Sequence, residues 1–140
     1  MELKRVVVTG LGAITPLGNT LADSWQGVIE GKSGAGPITQ FDASKFKTRF
    51  ACEVKGFDPL SVMDRKEARK CDRYSLLAID AAKQAIADSG MDLDKEDKTR
   101  IGVIFASGIG GIKTFDEELL SYAKTKDTIG PKFNPFFIPK

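Results

Sequence analysis

Arg5-Val6-Val7-Val8-Thr9-Gly10-Leu11-Gly12 decides how this sequence is read. Three consecutive valines are stiff at χ1 and favour extended backbone. A continuous apolar run, without alternation, suits a strand covered on both faces. The spacing therefore predicts a buried strand over residues 5–11, broken by Gly10, Gly12, Pro16 and Gly18. Strands of that kind belong to layered α/β folds, where helices cover the sheet.

Thr20 with Asp23 three residues later forms a capping-box-like start. Leu21, Trp25, Val28 and Ile29 then recur on one helical face, and Gly31 sits where a left-handed cap residue is expected. Residues 32–47 read as loop. Phe50, Cys52 and Val54 alternate with Ala51, Glu53 and Lys55, the period of a half-buried strand, which places Cys52 with the core face. Tyr74 to Ser89 reads as a long helix whose Ala78, Ala81, Ala82 and Ala85 permit close approach of a neighbour, with Gly90 as its stop. Ile101 to Ala106 is a second buried strand, and Ser107-Gly108-Ile109-Gly110-Gly111 ends it in a turn. Ile112, Phe115, Leu119 and Tyr122 mark a last amphipathic helix. The tail holds Phe133, Phe136 and Phe137 between prolines, a cluster that needs a surface to pack on. The order β-α-β-α-β-α describes one α/β domain without internal boundary, repeat or linker.

Composition narrows the chemistry. The 140 residues contain 21 basic and 19 acidic side chains, a net charge of +2, so nothing global argues for nucleic-acid binding. Histidine is absent and cysteine occurs twice. Zinc sites built on histidine, Ser-His-Asp triads and Cys-His pairs are therefore impossible within the chain, and the cysteine usage suits a reducing cytoplasm. No stretch approaches the roughly 20 apolar residues of a membrane helix. Thr9, Gly10, Gly12 and Pro16 interrupt the early apolar run, and no small-residue cleavage site closes it, so a secretion signal is not expected.

Three motifs carry chemistry. Gly10-Leu11-Gly12 begins like a dinucleotide fingerprint, but its third glycine falls on Thr15 and no acidic residue follows on a second strand; a tight turn is the better reading. Ser107-Gly108-Ile109-Gly110-Gly111 lacks the Lys-Ser/Thr of a phosphate loop. It is read either as a plain turn or as a place where backbone approaches an apolar ligand beside Ile109. Arg65, Lys66, Arg69, Lys70 and Arg73 crowd one segment with Asp64, Glu67 and Asp72. If the segment is helical, Lys66, Arg69, Lys70 and Arg73 share a face, which is either a site for an acidic partner or a solvated surface with local ion pairs. Cys71 lies among these cations, which lower a thiol pKa, yet no histidine is present to act as its base.

Taken together, these motifs resemble the elongating β-ketoacyl-acyl-carrier-protein synthases of bacterial fatty-acid synthesis, in particular their type II branch. The resemblance rests on residues 5–12, Thr15-Pro16-Leu17-Gly18-Asn19-Thr20, Trp25, Gly31-Lys32-Ser33-Gly34, Phe41-Asp42, residues 65–72, residues 107–111 and Pro135-Phe136-Phe137-Ile138-Pro139, all in register. It implies a thiolase-like layered αβαβα fold, a homodimer, and no cofactor or metal. It also implies decarboxylative Claisen condensation: a cysteine thiolate takes an acyl chain from the carrier protein, malonyl-carrier protein loses CO₂, and the carbanion attacks the thioester. The family's nucleophilic cysteine and its two histidines would follow Lys140, so the chain is expected to be roughly the first third of such an enzyme, inactive alone. Neither Cys52 nor Cys71 matches the nucleophile. Lys66, Arg69 and Lys70, with Arg65 beside them, match the docking patch for the acidic carrier protein. Ile109 matches a residue lining the acyl-chain tunnel, Phe137 matches an aromatic reaching the partner subunit's tunnel, and Phe136 adjoins it. A polyketide ketosynthase domain and a non-catalytic chain-length-factor partner share the same N-terminal features, and a freestanding binding module is the remaining alternative. Cytoplasmic location without nucleic acid or membrane completes the expectation.

Overall fold

The computed structural model describes residues 3–127 and 134. The elements in order are helix α1 (Leu21–Ile29), strands β1 (Ala35–Pro37) and β2 (Phe50–Cys52), a 3₁₀ turn (Pro59–Ser61), helices α2 (Arg65–Ala68) and α3 (Arg73–Ser89), a second 3₁₀ turn (Lys98–Arg100), and helix α4 (Ile112–Thr125). The chain divides into two compact units that interleave along the sequence. One comprises residues 1–57 and 80–101, the other residues 58–79 and 102–140. Helix α3 therefore contributes its first seven residues to one unit and its remainder to the other.

In the first unit, Thr20 caps α1. The Thr20 hydroxyl accepts from the Asp23 amide at 3.1 Å and donates to the Asp23 carboxylate at 2.8 Å. Gly31 and Gly90 both adopt φ near +65°, the left-handed stops expected after α1 and α3. Thr15, the residue that spoils the dinucleotide fingerprint, has a structural use: its hydroxyl donates to Ser24 Oγ at 2.8 Å and ties the loop to α1. Strands β1 and β2 pair antiparallel in the register Ala35–Cys52, Gly36–Ala51 and Pro37–Phe50. Pro37 has no N–H to donate, which a strand with a single neighbour tolerates.

The glycines at 10 and 12 are explained by α3. A methyl group at Gly12 would overlap the Ala81 carbonyl oxygen, and one at Gly10 would overlap that of Ala85. The alanine stripe and the glycine pair are thus two sides of one close approach. It is fastened by Leu11 N donating to Asp88 Oδ2 at 2.8 Å, and by Gln84 Nε2 donating to Asn19 O at 2.9 Å. Close approach to a helix, not a tight turn, is what Gly10-Leu11-Gly12 serves.

Three expectations are corrected here. Residues 5–11 and 101–106 form no strand in the structure; the only ladder among the described residues is β1–β2. Val6 is 91% exposed and Ile104 98%. A strand exists only through its neighbours' N–H and C=O groups, and the described residues offer these segments none. Cys52 and Phe50 lie on the exposed face of β2 while Ala51 is partly covered, the reverse of the predicted phase. In a ladder of three residue pairs, alternation marks two faces without saying which is covered. Residues 35–37, read as loop, form β1 because β2 lies within pairing reach. Among the described residues no helix is long and apolar enough to cross a membrane.

Gly12→Ala is expected to destabilise the protein by about 1–3 kcal/mol, because the added methyl forces backbone away from backbone. Denaturant unfolding followed by circular dichroism measures it, and an unchanged midpoint would show that α3 is not approached at Gly12.

Candidate functional site

The second unit contains the basic segment and the glycine turn. Asp64 caps α2, its Oδ1 accepting from Lys66 N at 2.8 Å and Glu67 N at 3.0 Å. An acidic cap suits the positive end of a helix and starts this one at Arg65. The helix is short: Ala68 is its last residue, and Lys70 N donates to Glu67 O while Cys71 N donates to Ala68 O as the chain turns out. Lys66, Arg69, Lys70 and Arg73 therefore do not share one helix, as the spacing alone had suggested. Arg73 opens α3 instead.

Each carboxylate in the segment has an inward or local use. Asp64 caps amides, and Glu67 Oε1 holds Lys70 Nζ at 2.6 Å. An exposed pair of this kind contributes about 0–1 kcal/mol, so it orients Lys70 more than it stabilises the fold. Asp72 Oδ1 accepts from the buried Thr114 hydroxyl at the start of α4. Arg65, Lys66 and Arg69 are exposed, and their side chains engage no partner among the described residues. Asp64 and Glu67 are exposed but committed to local partners, Asp72 is partly buried, and Arg65, Lys66 and Arg69 face solvent. The result is a positive surface from a segment with five basic and three acidic side chains, suited to steering an acidic partner.

The turn at residues 107–111 is held beneath by the same segment. Gly110 adopts φ +76°, its N–H donates to Ser107 Oγ at 3.0 Å, and the Tyr74 ring lies against it. Gly111 lies against the Asp72 carboxylate, in the space a side chain would need. The two glycines thus admit Asp72 and Tyr74. Ile109, next to them, is 78% exposed. Ile109 lies in the turn that its flanking glycines predict, and Arg65, Lys66 and Arg69 are exposed; the contacts of the turn with Asp72 and Tyr74, and of Asp72 with Thr114, were not foreseen. The adjacent glycines were the available signal, since paired glycines announce a close approach without naming what approaches. Phe136 and Phe137 lie outside the described residues. Asn134, which is described, donates its amide to Glu118 Oε2 at 3.0 Å.

The chemistry available here is recognition. Cys71 is partly buried and Cys52 exposed, and both are free thiols.

Residues 3–137 match the family described as "Beta-ketoacyl synthase, N-terminal domain". The 3-oxoacyl-[acyl-carrier-protein] synthase 2 of Coxiella burnetii is 47% identical over 144 residues, covering 99% of this chain and 33% of that protein. A solved ishigamide ketosynthase/chain length factor superposes with a TM-score of 0.77 at 27% identity, over 96% of this chain and 33% of its own. A type II polyketide acyl-carrier protein in complex with its ketosynthase bound to the hexaketide gives 0.71 at 28% identity, over 95% and 35%. The chain spans about a third of the length of the curated relatives it matches.

Replacing Asp64 with Ala is expected to fray α2 and speed exchange of the Lys66 and Glu67 amides by roughly 2- to 30-fold, equivalent to about 0.5–2 kcal/mol of lost capping. Hydrogen exchange read at those two amides checks it.

Proposed function

The chain belongs to the β-ketoacyl synthase N-terminal domain family, and we propose that it is the carrier-recognition portion of an elongating fatty-acid condensing enzyme. The observation that carries this reading is relationship: relatives 38–49% identical over nearly the whole chain are 3-oxoacyl-[acyl-carrier-protein] synthases. The exposed cations around α2 support it from the side of physics, since a carrier protein of acidic surface is what such a patch would steer.

In this reading Lys66, Arg69 and Lys70, with Arg65 beside them, dock the acyl carrier protein. Ile109 lines the acyl-chain tunnel. Phe137, with Phe136 beside it, reaches toward the tunnel of a partner subunit in a cytoplasmic homodimer. The whole enzyme joins an acyl thioester to the carbanion left when malonyl-carrier protein releases CO₂. The bond-making cysteine and the two histidines come from the rest of the enzyme, and the 140-residue chain contributes docking and part of the lipid channel. Residues 1–140 are then one continuous part of the synthase N-terminal domain, with no boundary inside it.

A second reading has its own support, the resemblance to a ketosynthase/chain length factor. In that case the same surface serves a polyketide system, or a partner that sets chain length without catalysis. Competition assays separate them: the fatty-acid reading expects elongation of simple saturated acyl-carrier substrates by the full-length protein.

Reversing Lys66 and Arg69 together to Glu in the full-length enzyme is expected to weaken carrier binding roughly tenfold at ionic strength near 0.01 M, where the Debye length is about 30 Å. The difference should shrink at about 1 M, where screening acts over roughly 3 Å. Equal affinity for both proteins at low salt counts against docking at this patch. Ile109→Phe is expected to move the chain-length preference toward shorter acyl groups, read as kcat/KM across a series of acyl-carrier substrates; an unmoved profile removes Ile109 from the tunnel.

A further inference from the structure

We infer that Asp72 is a positioning residue, joining the basic docking segment to the glycine turn so that carrier docking is felt at Ile109. The inference rests on the docking and tunnel roles proposed above. What carries it is the placement of one carboxylate.

Asp72 directly follows the basic segment and precedes α3, and its carbonyl oxygen accepts the first bond of that helix, from Leu76 N at 3.1 Å. An aspartate at this place ordinarily turns its side chain back onto the helix amides. Here it points elsewhere. Oδ1 takes the hydroxyl of Thr114, a buried residue in the first turn of α4. Oδ2 is buried, has no hydrogen-bond partner among the described residues and lies against Gly111. The carboxylate is held between the Thr114 hydroxyl and Gly111.

The contacts form a short chain. Lys70 and Cys71 are held to α2 by their backbone bonds to Glu67 and Ala68, and Asp72 is the next residue. Asp72 meets Thr114 and Gly111, and Tyr74, two residues on, meets Gly110. Ile109 adjoins Gly110, whose amide is fixed to Ser107 Oγ. A shift of the segment at Lys70–Cys71 displaces Asp72, and Asp72 cannot move toward the turn without overlapping Gly111. The glycines make the turn the softest partner in this chain, because their backbone has the widest range to follow a push.

Coupling of this kind has a signature that a merely structural contact lacks. The length preference of the full-length enzyme should depend on what delivers the acyl chain. Take the ratio of kcat/KM for a long against a short acyl group, measured once on the carrier protein and once on pantetheine, which does not reach the docking patch. The unsubstituted enzyme is expected to give ratios differing by about fivefold or more, the lower range of allosteric couplings. Thr114→Val removes the hydroxyl at constant volume and should bring the two ratios together, while Thr114→Ser should keep them apart. Asp72→Ala is the second variant and should act as Thr114→Val does, so a folding failure of one leaves the other to decide. Equal ratios in the unsubstituted enzyme, or ratios unmoved by both substitutions, overturn the coupling. Failure of the docking reading is seen separately, as carrier affinity indifferent to the Lys66 and Arg69 reversals.

Discussion

Helix α3 organises the described structure because other backbone is allowed to come very near it. In the first unit, Gly10 and Gly12 bring residues 10–12 against the carbonyls of Ala81 and Ala85. In the second, Gly110 and Gly111 bring the turn against Tyr74 and Asp72 at the helix start. At such separations dispersion and hydrogen bonding replace side-chain volume as the source of cohesion. That matters in a structure whose buried apolar residues, among those described, are only Ala43, Val62 and Leu76. Where so little side chain is buried, directional contacts such as Leu11 N to Asp88 and Asp72 to Thr114 fix the arrangement.

The same scarcity of burial has a counterpart on the surface. Val6, Val8, Val103 and Ile104 are all more than three-quarters exposed. Fully covering a side chain of this size is worth about 1.5–3 kcal/mol, so these two segments leave a large favourable term unused. Their composition is that of central strands, whose pairing partners are not among the described residues.

The positive surface around α2 follows both from how many charges the segment carries and from how they are disposed. Residues 64–73 hold five basic and three acidic side chains, so the segment carries a surplus of two positive charges. The fold gives Asp64, Glu67 and Asp72 local uses as cap, ion-pair partner and hydroxyl acceptor, which leaves Arg65, Lys66 and Arg69 facing water. All three carboxylates are committed to local partners, and the surplus of cations faces water.

Local chemistry was legible from the residues alone. The Thr20 capping box, the stops at Gly31 and Gly90, the long helix from Tyr74 to Ser89 and the amphipathic α4 all depend on neighbours within a few positions, and all are present. So was the family, because its motifs are spaced by the sequence itself. What the sequence left open depends on residues far apart in the chain. The face of β2 that is covered, the end of α2 at Ala68, and the partners of Gly10, Gly12 and Gly111 are set by which distant backbone arrives. The direction of Asp72 is the clearest instance: its composition says helix cap or ion pair, while Thr114, 42 positions away, determines that it is neither. Periodicity records what a residue needs from its surroundings, and only the folded chain supplies the atom that meets the need.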